Sequence, residues 1–402
     1  MSSRIKAVHY ERKDKEYPVS FKRFSISNAE KVMEFHRSFP EYSVTPLAEL
    51  KSLSEMLGVK GIYVKDESYR FGLNAFKVLG GSYAIGRIIA ERLNMDISEL
   101  PYEIMTGREV KEKLGNLTFI TATDGNHGRG VAWTANRLGM NSIVYMPKGT
   151  ALERLENIRK LGSDASITDL SYDDAVRLAL KESVEKGHIM VQDTAWDGYE
   201  AVPGWIMEGY TTMAYEAYRQ LDGVKPTHIF LQAGVGSMAA AVAAFFSGIY
   251  GNERPVITIV EPNSADCIFR TAEADDGKIH AVTEDMNSIM AGLCCGEPCT
   301  IAWDILKNCA DFFISMPDYA AANGMRVLGN PAGNDGKIVS GESGASTMGI
   351  VSEILRNSNL LWLKEELRID ENSRILLFST EGDTDKENYR KIVWDGLYPG
   401  NI

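Results

Sequence analysis

One lysine occupies an unusual position in this sequence. Lys77 directly follows Phe76, between a strand-like run at 61–64 and a helical run that starts at Val78. An amine that is desolvated where a loop becomes a helix loses its charge more easily and can then attack aldehydes. Schiff-base chemistry is therefore one hypothesis for Lys77, which the other segments of the chain have to support. The alternative is a lysine that snorkels from the first turn of a surface helix.

A glycine-containing loop follows a second predicted strand, 229–232, and precedes an alanine-rich helix, 238–246. Glycines let backbone N–H groups approach an anion, and a helix start adds unpaired N–H groups and a favourable dipole. The loop lacks the Gly-Lys-Ser/Thr of a P-loop and the complete dinucleotide fingerprint, so a phosphate site and a plain tight turn both stay open. The residues that would surround the phosphate are Gly234, Val235, Gly236, Ser237 and Met238.

The loop at 123–128 also lies between a predicted strand and a predicted helix. Its backbone N–H groups from Gly125 to His127, with the Thr123 hydroxyl and the Asn126 amide, could hold a carboxylate or a phenolate oxygen. The imidazole of His127 could act as a general base, or it could be a packing residue.

Strands and helices alternate over most of the chain, which is typical of βαβ units and parallel sheets. We predict an α/β protein of two interwoven parallel-sheet lobes, a large domain from 1–85 and 191–402 and a small domain from 86–190. In such sheets ligands bind where loops leave the carboxyl ends of the strands. The hydroxyls of Ser379 and Thr380 follow the last predicted strand and share that position.

Composition excludes several classes of partner. The chain has 402 residues and a net charge of -12, which argues against nucleic acid or an anionic membrane as the main partner. The longest apolar run, 238–246, is too short to span a membrane, and no signal peptide is evident at the start. We expect a cytoplasmic protein with a small-molecule substrate. Residues 1 to about 40 are expected to form a solvated polar arm with one helix.

The five cysteines fall in one third of the chain. In a cytoplasmic protein they are expected to be reduced thiols. The cluster at 294–299 has neither CxxC spacing nor a nearby histidine, so no metal site is expected. The need for a monovalent cation stays open, as does the redox state of Cys267, Cys294, Cys295 and Cys299.

Four segments together resemble one known family in their order and spacing. They are Asn-Ala-Phe-Lys at 74–77, Asp-Gly-Asn-His-Gly at 124–128, Gly-Val-Gly-Ser at 234–237 and Ser-Thr-Glu-Gly-Asp at 379–383. The likeness is to the fold-type II pyridoxal-phosphate (PLP) enzymes, the group of tryptophan synthase β and threonine dehydratase. In that group these segments are the lysine motif, the substrate-carboxylate loop, the phosphate cup and the ring-nitrogen partner. The resemblance implies PLP in a cleft between the two lobes.

Within this family the chain is most similar to the diaminopropionate ammonia-lyases. The segments that carry this likeness are 64–68, 70–77, 123–130, 192–199 and 379–385. Asp124 stands where the wider group has serine or threonine. The resemblance implies a homodimeric ammonia-lyase that converts both isomers of 2,3-diaminopropionate to pyruvate and two ammonia. A serine/threonine dehydratase is the alternative within the family, and a non-catalytic amino-acid-binding relative is the alternative of another class.

The same resemblance implies residue roles around the cofactor. Lys77 would hold PLP covalently and, once freed, remove the α-proton, while Phe76 would pack near the ring. Asn126 would bond the phenolate oxygen. Ser379 would face the pyridine nitrogen, with Thr380 as second choice because a slip of one residue reverses which side chain points inward.

Two carboxylates, Asp124 and Asp193, are expected to recognise the extra positive charge that diaminopropionate carries relative to serine. Asp124 would also accept the α-proton of the D-isomer. For Asp193 the alternative is a helix-capping or turn carboxylate. The implied catalytic set is Lys77, Asp124 and Asp193, and the implied substrate-binding set is Thr123, Asp124, Gly125, His127 and Asp193.

Overall fold

The structure, a computed structural model, describes residues 4–11, 19–123 and 125–400. Asp124, to which two roles were assigned above, therefore lies outside the described residues. So do residues 1–3, on which the expectation of no signal peptide partly rests.

Most of the strands are short runs of buried apolar residues. In chain order they are Lys6–His9 (β1), Leu47–Glu49 (β2), Gly61–Asp66 (β3), Thr118–Ala122 (β4), Asn141–Met146 (β5), Asp164–Ile167 (β6), Ile189–Met190 (β7), His228–Gln232 (β8), Val256–Pro262 (β9), Phe312–Met316 (β10) and Arg374–Ser379 (β11).

Within the described residues the strands form two sheets. The larger has the order β1-β10-β9-β8-β11-β3-β2, with parallel neighbours in its centre and antiparallel strands β1 and β2 at its two edges. The smaller has the order β6-β5-β4-β7 and is parallel throughout. Parallel strands place all their carboxyl ends on one edge, where the loops that carry chemistry gather.

The helices connect and cover these sheets. They are Ile26–Arg37 (α1), Lys51–Leu57 (α2), Val78–Leu93 (α3), Tyr102–Met105 (α4), Arg108–Leu114 (α5), Asn126–Arg137 (α6), Leu152–Arg159 (α7), Tyr172–Lys186 (α8), Ala201–Gln220 (α9), Ser237–Tyr250 (α10), Cys267–Ala274 (α11), Thr300–Cys309 (α12), Asp318–Gly329 (α13), Glu342–Arg356 (α14), Leu361–Glu366 (α15) and Lys386–Val393 (α16).

The predicted α/β class with parallel sheets is confirmed. The expectation of a polar arm before the first helix is wrong for residues 6–9, because β1 pairs antiparallel with β10 there. Four residues with only two apolar side chains give no periodic signal, and their strand conformation comes from the partner strand. The strands of the smaller sheet all lie within the predicted small domain, 86–190, and the domain division itself stays a prediction.

A closed group of charged side chains anchors the segment that leads to Lys77. This buried ion cluster consists of Lys65, Glu67, Arg70 and Glu216, and each of the four side chains is at most 1% exposed. Arg70 Nη2 lies 2.7 Å from Glu216 Oε2, and Lys65 Nζ lies 2.7 Å from the same oxygen. The cluster fastens the end of β3 to α9.

No helix in the described part of the chain is long and apolar enough to cross a membrane.

Candidate active site

A cleft of about 730 Å³, counting the space that opens to solvent, lies at the carboxyl ends of strands from both sheets. Its wall contains most of the described residues that the sequence singled out: Phe76, Lys77, Thr123, Asn126, His127, Asp193, Gly234, Val235, Gly236, Ser237, Met238 and Thr380. Of the described candidates, Gly125 and Ser379 do not line it.

Lys77 stands at the N-terminus of α3, as the sequence predicts. Its side chain is 19% exposed, and its ammonium pairs with the carboxylate of Asp193. The preceding residue, Phe76, packs against Tyr210 with ring centroids 4.8 Å apart, and its N–H donates to the carbonyl of Thr380 at 3.0 Å. The lysine is therefore held by a rigid backbone while its amine reaches the cleft.

The carboxylate of Asp193 is nearly inaccessible to solvent, and it supplies the negative charge at the tip of Lys77. Burial alone would raise the pKa of Asp193, but the ammonium of Lys77 and the ring of His127 outweigh burial and lower that pKa to about 2. His127 Nδ1 lies 3.9 Å from the same carboxylate oxygen. Asp193 is consequently ionised at neutral pH, and its carboxylate contacts the amine of Lys77.

His127 lies on the cleft wall with its ring fixed by the backbone. Its Nε2 lies 2.8 Å from the carbonyl oxygen of Val191. Because a carbonyl only accepts, Nε2 carries the hydrogen and donates it. The ring therefore packs against the end of the small sheet and turns Nδ1 towards Asp193.

The loop after β4 is shaped by one hydroxyl. Thr123 Oγ1 accepts hydrogen bonds from the N–H groups of Gly125 at 2.9 Å and Gly128 at 3.1 Å. The loop turns tightly into α6, and Asn126 becomes the first residue of that helix. The predicted order of strand, loop and helix is confirmed, but the helix begins at Asn126, so residues 126–128 of the predicted loop are helical.

A close helix contact brings this loop to Lys77. A Cβ placed on Gly130 would lie 2.8 Å from the Cα of Val78, so a larger residue would push α6 away from α3. Glycine at position 130 lets the two backbones touch. As a result the Asn126 amide and the Lys77 amine reach the same cleft from different sheets.

The glycine loop after β8 has the geometry expected of an anion site. Gly236 has φ +97°, a left-handed conformation that favours glycine, and α10 starts at the next residue. Ser237 Oγ donates to the carbonyl oxygen of Asp193 at 2.7 Å, which ties the loop to the residue that faces Lys77. The N-terminus of α10 opens on the cleft and suits a phosphate.

The structure places the two candidates for the ring-nitrogen partner differently. Ser379, the first choice, is completely buried behind the wall, and its hydroxyl donates to Ser340 at 2.8 Å. Thr380, the second choice, lines the cleft, and its hydroxyl accepts from Gln232 Nε2 at 2.8 Å. Successive side chains of an extended segment point to opposite sides, so only the second of these adjacent hydroxyls faces the cleft, and its role towards a ring nitrogen stays a prediction.

Three buried polar atoms on the wall have no hydrogen-bond partner within the described chain. They are the hydroxyls of Tyr210 and Ser343 and the Oε1 of Gln232. Each side chain is at least nine-tenths buried. An unpaired buried polar atom costs about 1–3 kcal/mol, so these atoms fit a site that is completed by a polar ligand such as PLP.

Sequence reasoning missed several wall residues. Tyr172, Tyr210, Gln232, Ser343 and Glu381 all line the cleft without belonging to the predicted site. Glu381 lies within the Ser-Thr-Glu-Gly-Asp segment that the resemblance used, so that motif did signal the position although no role was assigned to it.

Three of the five cysteines, Cys267, Cys299 and Cys309, lie in the interior of the protein. Cys267 and Cys299 are buried, and burial raises the pKa of both thiols. Cys295 lies on the cleft wall near the glycine loop.

The chain matches the family model "pyridoxal-phosphate dependent enzyme" over residues 39–364. It is 50% identical over 369 residues to the diaminopropionate ammonia-lyase of Salmonella typhimurium, and the match covers 91% of each chain.

Two solved structures of diaminopropionate ammonia-lyase from Escherichia coli are similar throughout. One is a complex with D-serine, which superposes with a TM-score of 0.92 at 45% identity and covers 98% of both chains. The other is a complex with an aminoacrylate–PLP azomethine reaction intermediate, with a TM-score of 0.91 at 46% identity over 99% of this chain and 98% of that one.

Proposed function

This chain belongs to the pyridoxal-phosphate-dependent enzymes, and from that premise we propose that it is an ammonia-lyase acting on 2,3-diaminopropionate. The products would be pyruvate and two ammonia. The observation that carries the proposal is the Lys77–Asp193 pair, a lysine amine and a buried carboxylate that meet in a cleft beside the glycine loop. The likeness to diaminopropionate ammonia-lyases along nearly the whole chain supports the choice of substrate.

The described residues fit the cofactor that the family uses. When bound, PLP supplies an aldehyde that condenses with amines and a pyridine ring that withdraws electrons from the substrate α-carbon. Lys77 would hold the aldehyde carbon, and the start of α10 at 234–238 would hold the phosphate. The Asn126 amide would donate to the phenolate oxygen, and the Thr380 hydroxyl would face the ring nitrogen.

Lys77 also has a second task. Its amine reaches the cleft from the N-terminus of α3, and we assign to it the removal of the α-proton of an L-amino acid. Asp193 is ionised at neutral pH and holds this amine in place. The same carboxylate attracts a substrate that carries a second ammonium group, so it favours diaminopropionate over serine.

Asp124 completes the proposal from the sequence side. We assign it the α-proton of the D-isomer, because the resemblance puts this carboxylate in the substrate loop opposite Lys77. Asp124→Asn should therefore reduce turnover of the D-isomer much more than turnover of the L-isomer. Equal losses for the two isomers, measured as kcat/KM, would remove the second base.

The proposal also includes a homodimer in the cytoplasm and the division into a large domain, 1–85 and 191–402, and a small domain, 86–190. The family resemblance supports the homodimer, and the position of strands β4 to β7 within 86–190 supports the small domain. The cytoplasmic location stays an expectation of the sequence analysis. Light scattering of the purified protein gives the mass of the assembly, and a monomer would contradict the dimer.

A steady-state assay tests the function itself. Pyruvate and ammonia should be released from both diaminopropionate isomers in a ratio of one to two, since both amino groups leave. L-serine and L-threonine serve as comparison substrates, because each can release only one ammonia. Faster turnover of L-serine or L-threonine than of diaminopropionate would favour the dehydratase and overturn the proposed substrate.

A further inference from the structure

Glu381 joins the two halves of the cleft. Its Oε2 accepts a hydrogen bond from the Asn126 Nδ2 at 2.6 Å, and its Oε1 accepts one from the N–H of Ser343 at 3.2 Å. Asn126 begins α6 and Ser343 lies in the first turn of α14. One carboxylate thus binds helices that start beside different sheets, and 255 residues separate its position from that of Asn126.

The side chain of Glu381 is itself firmly held. It is 6% exposed, and its backbone carbonyl accepts from the N–H of Gly341 at 3.0 Å. The carboxylate also interacts with the guanidinium of Arg129. Burial lowers the pKa of Arg129, and the charge of Glu381 opposes that lowering. Glu381 Oε2 also accepts from the Thr384 hydroxyl at 3.5 Å, so three donors contact this carboxylate and leave it little freedom to rotate.

This contact decides which way the Asn126 amide points. An ionised carboxylate only accepts hydrogen bonds, so the amide nitrogen must face Glu381 and the amide oxygen must face away. The second N–H of the same nitrogen is left for a neighbour on the cleft side. A neutral partner at 381 that both donates and accepts would permit either orientation, and one of these would turn an oxygen towards the ligand.

We propose that Glu381 is a positioning residue that fixes the Asn126 amide with its nitrogen ready to donate to the phenolate oxygen of PLP. The inference rests on the proposed function only as far as cofactor binding. It adds that cofactor binding requires a carboxylate at position 381, besides the lysine motif, the phosphate loop and the ring-nitrogen partner. Glu381 acts through Asn126, and so its effect disappears when Asn126 can no longer respond.

A double-mutant cycle on the purified holoenzyme tests this. Glu381→Gln keeps the shape of the side chain and removes the charge, Asn126→Ala removes the amide, and the third protein carries both changes. Two readouts need no substrate: the position of the visible absorption band of the bound cofactor, and the rate at which PLP is lost to an excess of scavenging apo-protein. Coupled residues show non-additive effects in such a cycle.

We expect Glu381→Gln to shift the absorption band and to speed cofactor loss roughly tenfold, which is the effect expected from the loss of one hydrogen bond to the cofactor. In the Asn126→Ala background the same substitution should change neither readout. Glu342→Gln is the matched control, because Glu342 is a neighbouring buried carboxylate that bonds another asparagine, Asn388, and does not line the cleft. It should leave both readouts unchanged.

Two results would overturn the inference. One is an equal effect of Glu381→Gln with and without Asn126, which would mean that Glu381 acts through the packing of α14. The other is an unchanged cofactor with a raised KM for diaminopropionate, which would make Glu381 a contact for the substrate ammonium. A protein that binds PLP but prefers another amino acid would contradict the proposed function and leave this inference intact.

Discussion

Among the described residues, Lys65 and Lys77 both pair with buried carboxylates, but Lys65 does not line the cleft and Lys77 does. The ammonium of Lys65 lies inside the buried ion cluster, fully enclosed, with Glu216, the carbonyl oxygen of Thr45 and Gln220 all within 2.8 Å. The ammonium of Lys77 meets Asp193 at the wall of a cleft that is open to solvent. Both lysines fall in segments that resemble the same enzymes, and the resemblance assigns the cofactor to Lys77 alone.

The difference lies in what surrounds each pair. Lys65 has three acceptors for its three hydrogens, and such an amine cannot be approached by a ligand without breaking the cluster. The carboxylate that pairs with Lys77 borders a cleft whose wall carries three buried polar atoms without a hydrogen-bond partner among the described residues. An acidic partner alone therefore does not identify a reactive lysine. Its amine must also be accessible to a ligand and lie near polar atoms that still lack hydrogen-bond partners.

The largest effect should come from Lys77→Ala. We expect turnover of diaminopropionate to fall by more than about 10³-fold, because the group that accepts the α-proton is lost. Part of the PLP should remain, held by the glycine loop. The measurement is pyruvate release per mole of folded protein. Activity within tenfold of the original would contradict the catalytic role of Lys77.

The enclosed lysine should give the opposite result. Lys65→Met leaves Glu216 and Glu67 with one buried cation in place of two, which should cost about 3–5 kcal/mol in the free energy of unfolding. Turnover by the molecules that remain folded should stay within a few fold. Urea unfolding followed by fluorescence measures the first quantity, and a large loss of kcat at full stability would place Lys65 in the site.

The smallest predicted effect is on the pH dependence of stability, and it comes from Glu342, a buried carboxyl that no cation among the described residues pairs with directly. Burial, with help from the nearby Glu381 carboxylate, raises the pKa of Glu342 from 4.5 to about 7. The folded state then prefers the protonated form, so the stabilisation is complete below pH 4.5 and is lost as pH rises through about 7.

The free energy of unfolding of the original protein, relative to Glu342→Gln, should therefore fall by up to about 3 kcal/mol between pH 4.5 and pH 8. Glu216 behaves oppositely: burial opposes its ionisation, but Arg70 and Lys65 lower its pKa to about 2, so its contribution persists above pH 4.5. A flat difference for Glu342→Gln would show that Glu342 is ionised like Glu216.

The sequence predicts the local parts of this molecule well. Lys77 at a loop-to-helix junction, the strand–loop–helix placement of Asn126 and the glycine turn at Gly236 all follow from neighbouring residues, and the structure has each of them. These features depend on backbone conformations that a few adjacent residues determine.

The parts that sequence reasoning missed depend on distant segments. Glu381 meets Asn126 across the cleft, and Tyr210 enters the wall from α9, a long helix without a functional motif. Which of the adjacent residues Ser379 and Thr380 lines the cleft depends on a strand register that differs by one residue. The positions of Glu381, Tyr210 and Thr380 all depend on how distant segments pack, which amino-acid composition and hydrophobic periodicity do not reveal.

Reduction of the purified protein with borohydride, followed by peptide mass spectrometry, tests the central claim most directly. Protein made with vitamin B6 available should lose its visible band and carry the mass of reduced PLP on the peptide that contains Lys77. Lys65 should be unmodified in the same digest. An unmodified Lys77, or a label on any other lysine, would contradict the account.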